Sequence, residues 1–117
     1  MESKLYNMKN NKLIAEFMGM NYGDPKDNSV MIQMTPQGSE VVPINSMKYH
    51  SSWDWLMPVV EKIENLGYEF TIVENRCKVS NNTDHSVKEL FHIETIGSKI
   101  ETTYDAVIQF IKNFKTI

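Results

Sequence analysis

Apolar residues recur three and four positions apart in three stretches of the chain and alternate with polar ones in several others, which divides it into helices and strands. Leu13, Ile14, Phe17 and Met18 keep helical spacing, and Met20 extends their face. They predict a first helix from about Asn10 to Met20, with Gly19 weakening its end. Residues 1–9 are expected to be a flexible lead-in. The turn-forming residues from Asn21 to Ser29 predict a loop over 21–29. Val30–Thr35 and Glu40–Ile44 read as two strands joined by Thr35-Pro36-Gln37-Gly38, a type I hairpin turn by its proline and glycine. Pro43 cannot donate a ladder hydrogen bond, so its strand is expected at an edge.

Ser51 and Ser52 are alternative N-caps for a second helix, Trp53–Leu66, and Gly67 suits the position after its end. Its apolar residues fill an arc of roughly 200°. Pro58 conflicts with that helix, because it removes the bond to the Asp54 carbonyl; a kink or a non-α first turn is expected. Tyr68–Val73 and Arg76–Ser80 read as strands around a Glu74-Asn75 turn. Cys77 and Val79 share one face of the second, and Arg76 and Lys78 the other. Residues 81–85 read as a loop. Val87–Ile93 is a further strand whose alternation breaks at Glu89 and Leu90. Ser98-Lys99-Ile100-Glu101 is a capping box that opens a last helix with the stripe Tyr104, Val107, Ile108, Ile111 and Phe114. Lys112 and Lys115 suit the C-terminal end of its dipole. The order α-β-β-α-β-β-β-α predicts one α+β domain over 1–117: a mostly antiparallel sheet of four to five strands packed by three helices.

Composition narrows the compartment and the chemistry. The 117 residues include one cysteine, Cys77, which excludes a disulfide framework. The first residues carry no long apolar core behind a basic start, and no apolar run approaches the roughly 18 residues of a membrane span, so a cytosolic protein is expected. A net charge of -3 disfavours binding nucleic acid by charge alone. Of 12 basic residues only Arg76 is an arginine, which removes most of the side chains suited to bidentate recognition of phosphate.

Familiar catalytic patterns are missing: the sequence has no phosphate-binding glycine loop, no H-E-x-x-H and no G-x-S-x-G. A nucleophile pair would need Cys77 beside His50, His85 or His92; a small buried strand residue is the better reading of Cys77. Asp84, His85 and His92 fit no common zinc spacing. Glu61 with Glu64 and Glu101 with Asp105 read as solvated helix faces. No catalytic, cofactor-binding or metal-ligating residue is therefore assigned. An enzyme with a nonstandard site near Cys77 or His92 remains a third reading.

The informative stretch is Tyr49-His50-Ser51-Ser52-Trp53-Asp54-Trp55-Leu56-Met57-Pro58. Trp53 and Trp55 point about 160° apart on a helix, at opposite edges of its apolar arc. Either the helix is covered over an unusually wide face, or one tryptophan stays partly exposed as an interface anchor. Tyr49, Trp53, Trp55 and Met57 are the candidate protein contacts. The alternative is a nucleic-acid surface built on Arg76, Lys78 and Lys88. The eight methionines read mainly as core filler.

Three stretches together carry a resemblance: Asn11 to Gly19, Tyr49 to Ile63, and Ser98 to Tyr104 with its helix. The set resembles small proteins encoded by phages and prophages of Bacteroidota, and is similar to the phage α-β-α sandwich type of domain. It covers the helices and leaves most strands unmatched. The resemblance implies a mobile-element accessory protein of the bacterial cytoplasm that binds a host or phage protein or ribonucleoprotein. Inhibitors of host defence are one such class, including anti-CRISPR proteins that bind an RNA-guided effector. It implies no catalytic residues.

Overall fold

The computed structural model describes residues 4–24, 27–81, 88–94 and 98–115. Within the chain read above as one domain, backbone contacts gather into two compact units, Met1–Lys48 and Tyr49–Ile117. The α+β class and the antiparallel pairing hold. Among the described residues, however, the strands number six and divide into two three-stranded sheets.

In the first unit, α1 (Lys4–Phe17) precedes β1 (Asn21–Asp24), β2 (Asp27–Thr35) and β3 (Gly38–Pro43), and a 3-10 turn follows at Ile44–Ser46. The helix begins inside the stretch expected to be flexible. Its buried face is continued by Asn10 and Asn11 instead of apolar residues, and the Asn11 side-chain amide donates to the Met47 carbonyl at 3.2 Å. A hydrogen-bonded polar residue serves there as core but is invisible to apolar periodicity. The other end stops at Phe17, not Met20. Gly19 N–H donates to Glu16 and Met20 N–H to Ala15, a Schellman arrangement with Gly19 at φ 95°.

The loop expected over 21–29 is overturned, since Asn21 and Tyr22 pair with Ile32 and Met31 of β2. Tyr22 is fixed by α1: its hydroxyl donates to Glu16 at 3.1 Å, and the Lys12 ammonium lies 5.0 Å from its ring centre. The Pro36-Gln37 connection closes the β2–β3 hairpin with Thr35 opposite Gly38. With the order β1-β2-β3, Pro43 lies on an edge strand as expected. Among the described residues, Ile14, Ala15, Met20, Met31, Val42, Ile44 and Met47 are the buried apolar residues of this unit.

The second unit runs α2 (Trp53–Asn65), β4 (Tyr68–Val73), β5 (Arg76–Asn81), β6 (Lys88–Glu94) and α3 (Lys99–Lys115). Both helices cover one face of the sheet, α2 against β4 and α3 against β5 and β6, and they touch each other. Phe70, Cys77 and Val79 are buried on that face, whereas Val73, Arg76 and Lys78 are exposed. Broken alternation at Glu89 and Leu90 has a cause: Val79 pairs with Phe91 but Ser80 with Glu89, so Leu90 is the extra residue of a bulge. The expected loop at 81–85 lies outside the described residues beyond Asn81, which closes β5.

The irregular first turn expected of α2 is not found: the helix is α-helical from Trp53 and continues through Pro58. Asp54 and Pro58 are both exposed, so water can take the carbonyl bond that the proline cannot make. Ser52 holds the N-cap position through its carbonyl, which accepts from Trp55 and Leu56; its hydroxyl makes no cap bond. Gly67, at φ 101°, ends the helix.

The capping box of α3 forms as read. Ser98 N–H donates to the Glu101 carboxylate at 2.9 Å and Glu101 N–H to the Ser98 hydroxyl at 3.2 Å. Hydrogen bonding to its carboxylate from the Ser98 backbone N–H, and then from the Ser98 side chain, holds the Glu101 carboxyl below its ordinary pKa. Ser98→Ala should cost about 1 kcal/mol of stability, measurable by urea unfolding. A loss within error of zero would mean that the N-terminus of α3 is held elsewhere, for example by the Thr102 hydroxyl bond to the Asn75 carbonyl.

Candidate docking face on the second helix

Along α2 the buried residues are Leu56, Val59, Val60 and Ile63, an arc of only about 100°. That is half the apolar arc written in the sequence, so apolar side chains emerge at both of its edges. At one edge Trp55 is part-buried and meets the Tyr49 ring edge-on, with centroids 5.1 Å apart and an interplanar angle of 89°. Tyr49 is itself only 3% exposed. At the other edge Trp53 is 37% and Met57 36% exposed, one helical turn apart. The four candidate contacts therefore separate into a buttress, Tyr49 with Trp55, and an exposed pair, Trp53 with Met57.

Burial pushes the Tyr49 hydroxyl up to about 12. A raised pKa means that the folded state keeps this proton where the unfolded chain releases it. The associated stability is complete below pH 10 and is lost as the pH rises from 10 towards 12. Tyr49→Phe should flatten the fall in unfolding free energy over that window. An unchanged slope would show that the phenol is not held neutral by the fold.

The basic candidates gather only in part. Arg76 and Lys78 share the exposed face of β5, and with Thr71, Val73 and Cys77 they line an open depression of about 180 Å³. Lys88 pairs with Asn81, at the opposite end of β5 from Arg76, a separation of about 16 Å along the strand.

Cys77 is buried. Its sulfur lies 3.5 Å from the Thr103 hydroxyl. Burial raises its pKa, the Thr103 bond draws it partly back, and the Asp105 charge adds to the rise. This is the reverse of an environment that produces a thiolate nucleophile. His50 packs its ring against Tyr104 at 6.1 Å. Among the described residues no three His, Cys, Asp or Glu side chains gather as a metal set; Asp84 and His85 lie outside them. No described helix is long and apolar enough to cross a membrane.

A second exposed apolar patch escaped the sequence reading. Met34 is 70% and Val41 60% exposed, on the face of the β2–β3 hairpin where Ile32 pairs with Val41 and Met34 with Ser39. Val30-Met31-Ile32-Gln33-Met34 is apolar on both faces of a strand, so alternation could not say which side is core. The methionines thus divide: Met20, Met31 and Met47 fill the core, while Met34 and Met57 face solvent.

Comparison with known protein families, curated proteins and solved structures finds no match for this chain.

Proposed function

We propose that the protein works without catalysis, by stoichiometric binding of a macromolecule through the exposed face of α2. The observation that carries this reading is the exposure of Trp53 and Met57 side by side, at the edge of a helix that buries only Leu56, Val59, Val60 and Ile63. A tryptophan removes more apolar surface from water on burial than almost any other side chain, and it is enriched among residues that dominate binding energy. Trp55 and Tyr49, locked edge-on, fix the helix end that presents the pair. The resemblance described above supplies the setting: a phage or mobile-element accessory protein in the bacterial cytoplasm, acting as an inhibitor of host defence that binds an RNA-guided effector protein or ribonucleoprotein.

The runner-up is a nucleic-acid-associated role for Arg76 and Lys78, favoured by the depression that they line, with Lys88 as a more distant contact. Capture of partners by the tagged protein from a Bacteroidota lysate, with and without nuclease, separates the two. Docking through α2 predicts a stoichiometric protein that survives nuclease and is lost with the Trp53→Ala/Met57→Ala double substitution. Recovery that vanishes with nuclease and with rising salt, and that depends on Arg76 and Lys78, would replace this reading with the runner-up. Capture lost with Met34→Asp/Val41→Asp but kept without Trp53 would move the docking surface to the β2–β3 hairpin.

A further inference from the structure

The exposed face of α2 changes chemistry along its length. Trp53 and Met57 occupy its N-terminal half. Glu61 and Glu64 continue the same stripe, Asp54 lies beside Trp53, and all three carboxylates are on exposed residues. At 100° per residue, Trp53, Met57, Glu61 and Glu64 fall within about 80° of arc. Lys62, the one basic residue of the helix, lies about 100° beyond Glu61, on the part-buried flank. The stripe is therefore an apolar end followed by an acidic end, with no cation among them.

From this division we infer that the partner of α2 presents a basic amphipathic helix, whose apolar side chains meet Trp53 and Met57 while its lysines or arginines meet Glu61 and Glu64. The inference rests on the docking reading above and names the chemistry of its partner. Spacings of four, four and three along the stripe are those at which one helix seats against another. The stripe is about 17 Å long, so three turns of a partner helix span it. A second copy of this chain does not fit. Aligned in parallel, the glutamates of one copy would face those of the other; aligned antiparallel, each apolar end would cover an acidic end. A basic partner removes both conflicts, and its attraction to the carboxylates would orient it before contact.

The test uses the full chain and a fluorescein-labelled synthetic helix with leucines along one face and lysines along the other; the same peptide with glutamate for lysine is its control. Saturable binding of the lysine peptide, read by anisotropy, is expected, with the glutamate peptide not binding. Glu61→Lys/Glu64→Lys should weaken binding by about tenfold or more, because truncated or reversed charge pairs at interfaces cost that much. Glu40→Lys/Glu69→Lys imposes the same change of net charge at exposed residues outside the stripe and should leave affinity within about twofold, as screened distant charges do. Absence of saturable binding, equal binding of the acidic peptide, or equal losses from the two double reversals would each overturn the inference. The two readings fail separately. Cellular capture that needs Trp53 but tolerates Glu61→Lys/Glu64→Lys leaves the docking face standing and removes the basic helix. Capture that ignores Trp53 removes both.

Discussion

Phe110→Ala should destabilise the 49–117 unit by about 3–5 kcal/mol, the range for emptying a buried aromatic site. Phe110 is 2% exposed and stands edge-on to Tyr68 of β4, with ring centroids 5.0 Å apart at 74°. The substitution thus removes apolar burial in α3 and an aromatic contact that ties this helix to the first strand of its sheet. Neighbours cannot close the gap easily, since Val107, Ile108 and Ile111 are already buried on the same helix. Small domains have a total stability of about 5–15 kcal/mol, so much of the margin would go. Urea unfolding followed by far-ultraviolet circular dichroism checks it, with Phe110→Leu recovering most of the loss. A change below about 1 kcal/mol would mean that α3 is not seated as described.

The second large effect is a division of labour between the two tryptophans. Trp53→Ala should weaken capture of the partner by about 30-fold or more, the scale of an interface hot spot, with little change in unfolding midpoint. Trp55→Ala should do the converse, lowering stability by about 2 kcal/mol because it empties a part-buried site beside Tyr49. Its effect on affinity should be the smaller of the two. Measuring both quantities on both variants decides the matter. Equal losses of affinity, or a larger loss from Trp55→Ala, would mean that the two rings act as one surface and that Trp53 has no special place.

The two substitutions also show where sequence reasoning reached and where it stopped. The capping box, the glycine after α2, the opposed faces of β5 and the edge position of Pro43 were legible, because each depends on a local residue preference. The opposing demands of Trp53 and Trp55 were legible as a question, since helical geometry places them on opposite edges of one arc. The answer was not, because it depends on how wide a face the sheet and α3 cover. The early start of α1 was hidden by asparagines doing the work of core residues. The strand β1 was hidden by Asn21, Gly23 and Asp24, which read as turn formers until Tyr22 is seen held by Glu16 and Lys12. Met34 and Val41 were hidden by a strand that is apolar on both sides. The acidic end of the α2 stripe was read correctly as solvated, but its alignment with the exposed apolar pair became meaningful only once the buried arc proved narrow.

Pro43 has a consequence beyond the register of its hairpin. The β3 strand is the outer strand of its sheet and carries Val41 and Val42, and outer strands are the ones through which chains can add to one another edge to edge and grow into aggregates. At the next position the proline withholds its N–H, and the chain then leaves the sheet through the 3-10 turn at Ile44–Ser46. The stretch of this outer strand that could pair with a foreign strand thus ends at Pro43, an exposed residue outside the hydrophobic core.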